Sequence, residues 1–157
     1  MKADGLLQIA WLIANAEAKN LGATEILPVH FLLATMKIID PKFPEQLDAL
    51  DVSSDDWAKM CKEAQSIRHY IDVLPDRVTK KRRTLRARLA QKQVRPPIKE
   101  EGLLHRAKST KRAFSDAIFF ADGDTVTLKQ LVQSLFEMEL VSVNQVDADH
   151  YIGNSLP

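Results

Sequence analysis

The feature that most constrains the fold of this chain is an internal repeat. Residues 17–36 read EAKNLGATEILPVHFLLATM, and residues 117–136 read AIFFADGDTVTLKQLVQSLF. Each copy contains the end of an apolar helix, a tight turn and the start of a second helix. A segment that returns at a fixed distance indicates an architecture of duplicated units. We therefore predict an all-α fold that duplicates a four-helix unit, with seven to eight helices in one compact domain.

Length, cysteine content and hydropathy narrow the class of protein. The 157 residues suit one domain, and a hydrophobic content of 45% supplies a core. The single cysteine, Cys61, excludes an intramolecular disulfide, which is typical of a reducing compartment. The apolar N-terminal segment is interrupted by Gln8 and Asn15, and no run reaches the roughly 18 apolar residues of a membrane span. We expect a cytoplasmic protein without a membrane partner.

Capping and helix-breaking residues predict where the helices begin and end. Asp4, Ser53 and Thr127 are of the types that cap helix N-termini, and Pro28 suits the first turn of a helix. Gly22 stands where a left-handed residue ends a helix. The predicted helices cover residues 6–21, 28–39, 44–50, 53–74, 78–93, 103–121, 128–138 and 144–151.

Charge is strongly segregated along the chain. Residues 77–99 contain ten of the 22 bases and no acid, which leaves twelve bases against 21 acids elsewhere. One interpretation is a solvated helix face or a connector; the other is a docking strip for an acidic protein or a nucleic acid. No aromatic residue lies among the arginines, so the strip offers no platform for base stacking. The candidate partner-binding residues in the strip are Arg77, Lys80, Lys81, Arg82, Arg83, Arg86 and Arg88.

The first copy of the repeat resembles a known family. Its sequence LGATEILPVHFLLATM is similar to the repeat of the amino-terminal domain of Clp (Hsp100) ATPases, roughly L-G-x-x-x-I-x-x-x-H-L-L-x-x-L/M. The matching residues of the first copy are Leu21, Gly22, Ile26, His30, Phe31, Leu32 and Met36. Those of the second copy are Ala121, Val126, Leu131, Val132 and Phe136, with Gln130 at the position of the histidine.

The resemblance implies two packed four-helix repeats related by a pseudo-twofold axis. It places repeat one at about residues 4–75, a basic connector at about 76–100 and repeat two at about 101–152. In the family this domain captures unfolded substrates or adaptor proteins, and it has no catalysis or cofactor of its own. Some members bind phosphoarginine through a glutamate just before the repeat histidine. Val29 and Lys129 stand at those positions here, so we expect no such activity.

Candidate chemistry is sparse. His30 is either a ligand or general base, or a structural residue near a helix start that bonds to its neighbours; we expect the structural role. Cys61 and the other three histidines have no recognisable metal-binding spacing. Acid pairs such as Asp55 and Asp56 are explained by helix capping. The sequence predicts neither an enzyme nor a metal or cofactor site.

The apolar stripes of both repeats are predicted to form chiefly the core. A groove between the repeats remains a natural place for an apolar peptide or a partner helix. The residues predicted to lie near the rim of that groove are Ile39, Phe43, Met138 and Leu140.

Two functions follow from these patterns. The leading prediction is a non-catalytic module that recruits a substrate or an adaptor protein to a Clp-type ATPase or its protease. Since the chain has no Walker A sequence, it would be either the amino-terminal domain of an ATPase or a free-standing adaptor-like relative. The alternative is a small nucleic-acid-binding or regulatory protein that uses the basic strip.

Overall fold

The computed structural model describes residues 1–43, 53–121 and 123–142. These residues are mostly helical, which confirms the all-α prediction. The elements in chain order are β1 (Lys2–Ala3), α1 (Gly5–Asn20), α2 (Pro28–Ile38), α3 (Ser54–Ile71), a 3-10 turn (Pro75–Arg77), α4 (Val78–Gln91), α5 (Lys108–Phe119), β2 (Thr125–Val126) and α6 (Leu128–Glu137). The helices predicted at 44–50 and 144–151 lie outside the described residues.

The predicted capping residues set the helix starts. The Asp4 carboxylate accepts from the Leu7 N–H (2.8 Å), and the Ser53 hydroxyl accepts from the Asp56 N–H (3.3 Å). Pro28 is the first residue of α2, where its missing N–H costs nothing. Gly22 has a φ of 71°, so it adopts the left-handed conformation predicted from its position after α1.

Two helix boundaries differ from prediction by three residues or more. The structure begins α5 at Lys108 rather than near Leu103, because residues up to Ala107 are extended. Leu103 is consequently exposed. The predicted inner stripe of α3 reached Leu74, but α3 ends at Ile71, where Asp72 takes the left-handed conformation. Leu74 therefore lies beyond the helix and is 63% exposed.

The core lies where α1, α2, α5 and α6 meet. Here α1 packs on α2 and α5 packs on α6, while α4 covers α2 and α3 covers α6. At the centre the rings of Trp11, Phe31 and Phe114 contact each other, with centroid separations between 5.0 and 6.2 Å. The Arg106 guanidinium lies over Trp11 and Phe114, at 4.7 and 4.6 Å from their centroids, and closes this cluster.

Two short parallel β-pairings join the first half of the chain to the second. In the first, β1, just before α1, pairs with β2, just before α6. In the second, Ile26, just before α2, pairs with Arg106, just before α5. The Ile26 carbonyl accepts from the N–H of Ala107 (3.0 Å), and the Val126 carbonyl accepts from the N–H of Asp4 (2.9 Å). The same hydrogen bond thus occurs once at the start of α5 and once at the start of α1.

An extended segment, residues 92–107, runs from α4 to α5 along the outer side of α1, and we call it the strap. Its Ile98 N–H donates to the Lys19 carbonyl (2.9 Å), and its Leu104 N–H donates to the Asn15 side chain (2.8 Å). A β-carbon added to Gly22 would clash with the Arg95 carbonyl oxygen, so the strap passes close to the turn after α1. The second half of the basic segment is therefore held by backbone contacts.

Candidate functional site

Helix α4 divides the basic residues of the segment between two faces. Val78 and Leu85 are buried, and they hold the helix against α2. On the outer face, Lys80 and Arg83 are exposed, and Arg77 is exposed in the turn that precedes α4. The remaining candidates, Lys81, Arg82, Arg86 and Arg88, are half-buried. The exposed face therefore carries fewer cations than the sequence led us to expect.

Arg86 is engaged within the molecule. Its Nε donates to one carboxylate oxygen of Glu17 (3.1 Å), and its terminal nitrogen bonds to the other. The Glu17 side chain is 6% exposed and the Arg86 side chain 39%. A bidentate pair on a nearly buried carboxylate fixes the guanidinium in place. Arg86 was predicted to bind a partner; in the structure its guanidinium joins α4 to α1.

Arg82 lies in the same cluster of charges. Burial, followed by repulsion from Arg86, lowers its pKa, while attraction to Glu17 and Asp40 opposes that shift. The buried Asp40 carboxylate accepts from the Thr79 hydroxyl and from the Lys42 N–H (3.0 Å). Arg82, another predicted partner-binding residue, thus lies in the field of two acids of its own chain. An isolated pattern of bases could not show this, because the acids come from α1 and from the end of α2.

A cleft of about 550 Å³ separates α4 from α1. Its α1 wall includes Leu12, Ile13 and Ala16, and Arg86 forms part of the α4 wall. Leu12 is 62% exposed, so an apolar surface is accessible beside the charged cluster. This cleft can receive a side chain of a bound protein, with the exposed cations of α4 nearby on the helix.

The predicted rim of the inter-repeat groove is only partly accessible. Ile39 and Phe43 are 1% and 6% exposed, so they are core residues and cannot line a groove. They are buried because the turn after α2 packs against α3, where the Arg68 guanidinium donates to the Ile39 carbonyl (3.0 Å). Met138 and Leu140 are half-buried and pack against the core.

His30 has the structural role that we expected. Its Nδ1 accepts from the Leu27 N–H (2.8 Å) at the start of α2, and the residue is 2% exposed. Burial lowers its pKa from 6.5 to about 4, so the imidazole is neutral at physiological pH. Gln130 does the same at the start of α6, where its side-chain oxygen accepts from the Thr127 N–H (2.9 Å). These contacts make His30 a cap and leave it no access to a substrate.

The remaining signature residues form the core around these caps. Leu21, Ala121 and Phe136 are half-buried, and the buried signature residues are Gly22, Ile26, Phe31, Leu32, Met36, Val126, Leu131 and Val132. Cys61 is a half-buried free thiol. Among the residues that the structure describes, no group of three or more histidines, cysteines or acids could hold a metal ion, and no helix is both long and apolar enough to span a membrane.

Glu63 is a residue whose environment the sequence analysis missed. Burial, then the neighbouring Asp4 carboxylate, raises its pKa to about 8, while N–H groups of Lys129 and Leu128 oppose the shift. Its Oε1 accepts from the Lys129 N–H at 3.2 Å. The carboxyl group thus joins α3 to the starts of α1 and α6. The available signal was its spacing, because position 63 falls between Met60 and Ile67 on the inner side of α3.

A second missed feature is an apolar surface at the end of α5. Ile118, Phe119 and Phe120 are 45%, 87% and 63% exposed. The Phe120 carbonyl accepts from Gln130 Nε2 (3.0 Å), which fixes the end of α5 beside the start of α6. Two consecutive phenylalanines directly before a turn were the visible signal. Large exposed aromatic side chains of this kind mark interaction surfaces more often than a lone exposed leucine does.

The comparisons with known proteins provide no family. No protein-family model, curated protein or solved structure matches the chain.

Proposed function

We propose that this chain is a non-catalytic binding module of a Clp-type ATPase or protease system, which recruits an unfolded substrate or an adaptor protein. It acts either as the amino-terminal domain of an ATPase or as a free-standing adaptor. The observation that carries the proposal is the doubled arrangement of the two helix pairs, α1–α2 and α5–α6, at the positions of the repeat signature.

The hydrogen bonds at the helix starts support this duplication. The carbonyls of Ile26 and Val126 each accept from the residue that caps the first helix of the other pair. His30 and Gln130 each close the start of the second helix by accepting a backbone N–H. Histidine and glutamine can both do this, which explains how the second copy keeps the arrangement without the signature histidine.

The aromatic centre supports a pseudo-twofold relation as well. Counted from the caps Asp4 and Ala107, Trp11 and Phe114 occupy the same position in α1 and α5. Their ring centroids are 5.0 Å apart, so the two equivalent residues contact each other where an axis relating the repeats would pass. We therefore propose the two-repeat architecture of the Clp amino-terminal domain, with α4 and the strap as an additional basic connector.

The accessible surfaces favour binding of protein over chemistry. The outer face of α4, the cleft beside Leu12 and the apolar end of α5 offer charge and apolar area at the surface. His30 is committed to capping and Arg86 to Glu17, so neither is poised to act on a substrate. Exposed apolar and cationic groups side by side are what a module for protein partners needs.

Capture from a lysate of the source cells tests this function. The tagged protein is incubated with nuclease-treated lysate, and bound proteins are identified by mass spectrometry. The proposal predicts recovery of a Clp ATPase, its protease or a discrete client protein. Recovery of nucleic-acid-associated proteins alone, lost on nuclease treatment, contradicts it.

The second candidate function is nucleic-acid binding, and the observation in its favour is the set of exposed cations in and just before α4. Arg77, Lys80 and Arg83 could contact phosphates, and such binding would weaken steeply as salt is raised. Because Arg82 and Arg86 lie beside acids of the chain itself, Arg77, Lys80 and Arg83 are a small footprint for nucleic acid. A double variant decides between the two candidates. The second candidate predicts that Lys80→Ala combined with Arg83→Ala abolishes binding to single-stranded DNA, and that the chain binds no Clp component.

A further inference from the structure

The solvent-facing side of α5 carries two kinds of side chain in sequence. Its first half exposes three cations, Lys108, Lys111 and Arg112. Its end exposes Ile118 and Phe119, followed by Phe120. Positions 108, 111, 112, 118 and 119 recur at helical spacing, so they share one side of the helix. This side, together with Phe120, is called the α5 face.

Two of the three equivalent positions of α1 are engaged by other parts of the chain, and the third, Ala16, is exposed. Counted from the caps of the two helices, Ile118, Phe119 and Phe120 correspond to Asn15, Ala16 and Glu17. The Asn15 side chain bonds to the Gly102 carbonyl (3.2 Å) and to the Leu104 N–H (2.8 Å) of the strap. Ala16 lines the cleft beside α4, and Glu17 is the partner of Arg86. One pair of helices thus uses this side to bind α4 and the strap.

The α5 face corresponds in position to the side of α1 that contacts α4 and the strap, but its side chains suit a different binding partner. Where α1 has a carboxylate for Arg86, α5 has Phe120, and Asp116, the single acid of α5, is half-buried. Instead, apolar side chains replace the amide and the carboxylate, and cations lie about two to three turns away along the helix. An occupant must therefore supply apolar side chains at one end and negative charge at the other.

We propose that the α5 face binds an amphipathic helix of a partner protein, with apolar side chains on Ile118, Phe119 and Phe120 and carboxylates on Lys108, Lys111 and Arg112. The proposal rests on the binding-module function proposed above and specifies one of its docking sites. It commits to an acidic partner because the exposed charges of α5 that flank the apolar end are positive.

The spacing along α5 specifies the partner further. Phe119 follows Lys111 and Arg112 by eight and seven residues, which is about 11 Å along a helix axis at roughly 1.5 Å per residue. A helix that lies along α5 must therefore carry its acids about two turns from its apolar anchors. A peptide with acids at that separation should bind, and one with the same composition but with bases at those positions should not.

A designed peptide tests the site directly. The probe is a fluorescein-labelled helical peptide with leucines at i, i+3 and i+4 and with glutamates seven and eight residues away on the same side. Its matched control has lysines in place of those glutamates. Binding to the full chain is followed by fluorescence anisotropy at two salt concentrations. We expect the glutamate peptide to bind about tenfold or more tightly than the lysine peptide, with a difference that shrinks at high salt.

Variants of the chain locate the binding. Phe119→Ser with Phe120→Ser, and separately Lys111→Glu with Arg112→Glu, should each weaken the glutamate peptide about tenfold or more. The control Val94→Ser removes an apolar side chain that is 93% exposed in the strap, and it should leave binding unchanged. Far-UV circular dichroism of each variant verifies that the fold is retained, and the surface location of all five residues makes that the expected result.

Three outcomes overturn the proposal. The first is equal affinity for the two peptides, and the second is equal loss of affinity in Val94→Ser. The third is a dimer in sedimentation velocity that Phe119→Ser dissociates, because the occupant would then be a second copy of this chain. If one of these occurs while capture still recovers a Clp component, only the α5 site is wrong. If the peptide binds as expected and no Clp component is recovered, the site stands and the Clp-type function falls.

Discussion

Replacing Arg86 by methionine tests whether the charge at this position holds α4 to α1. The change removes both hydrogen bonds to Glu17 and leaves a carboxylate that is 6% exposed without its partner. Removal of one partner of a buried pair costs about 3–5 kcal/mol. Here the Arg86 side chain is 39% exposed and Arg82 lies close enough to compensate in part, so we expect about 2–3 kcal/mol.

Glu17→Gln should cost less than Arg86→Met. The amide keeps an acceptor for the guanidinium, and Arg86 retains access to water, so a loss of about 1 kcal/mol follows. Combining the two changes should cost less than their sum, because the double variant leaves no unpaired buried charge. Arg86→Met should cost more than Glu17→Gln because the carboxylate that it leaves unpaired is buried, whereas the guanidinium is partly exposed.

Urea unfolding followed by circular dichroism at 222 nm measures these free energies. The matched control is Arg83→Met, which alters an exposed arginine of the same helix and should stay within about 0.5 kcal/mol of the parent. In thermal unfolding, Arg86→Met should lower Tm by about 5–10 °C. If Arg86→Met and Arg83→Met unfold at the same urea concentration, the pair does not hold α4, and Arg86 returns to the set of candidate partner-binding residues.

Three further predictions follow from contacts elsewhere in the chain. The pKa of Glu63 in the folded chain is about 8, above its ordinary 4.5, so its contribution to stability is complete below about pH 4.5 and is lost as the pH rises through 8. In urea titrations at several pH values, Glu63→Gln should make the free energy of unfolding depend less on pH over this range. An unchanged pH dependence contradicts the assignment. His30→Gln should retain the helix cap, as Gln130 does in α6, whereas His30→Ala should lose about 1 kcal/mol or more; equal losses in chemical denaturation would refute the capping role. Gly22→Ala and Gly123→Ala both force an alanine into a left-handed conformation, but only Gly22 faces the strap. In thermal unfolding, Gly22→Ala should therefore cost about 1–3 kcal/mol more than Gly123→Ala. Equal costs would show that the strap does not press on this turn.

The sequence predicted helix starts well because they depend on nearest neighbours. Asp4, Ser53 and Thr127 cap helices as expected, since each bonds to a backbone N–H three residues along the chain. Gly22 takes its left-handed conformation for an equally local reason. Two boundaries were less predictable: α3 already ends at Ile71, and α5 begins only at Lys108, because the strap stays extended to pair with Ile26.

The position of the basic segment in the chain was predictable from the sequence, but which of its side chains form an exposed surface was not. The sequence shows a run of bases between residues 77 and 99, and it does not show which of them meet acids from elsewhere in the chain. Glu17 and Arg86 are 69 residues apart, so their pairing depends on the packing of α4. Ile39 and Phe43 were placed on a rim for the same reason: their burial follows from the way in which the turn after α2 meets α3.

The membership of this chain in a Clp-type system is the central claim, and a binding measurement with purified components tests it most directly. The labelled chain is mixed with the Clp ATPase hexamer of the same organism in the presence of ATP, or with a permanently unfolded carboxymethylated protein, and it is followed by sedimentation velocity. Phe119→Ser and Arg83→Glu serve as surface variants. The account predicts a nuclease-resistant complex with at least one of these two partners, weakened by a surface variant. Sedimentation of the chain as a free species in both mixtures, together with salt-sensitive binding to single-stranded DNA, would contradict it.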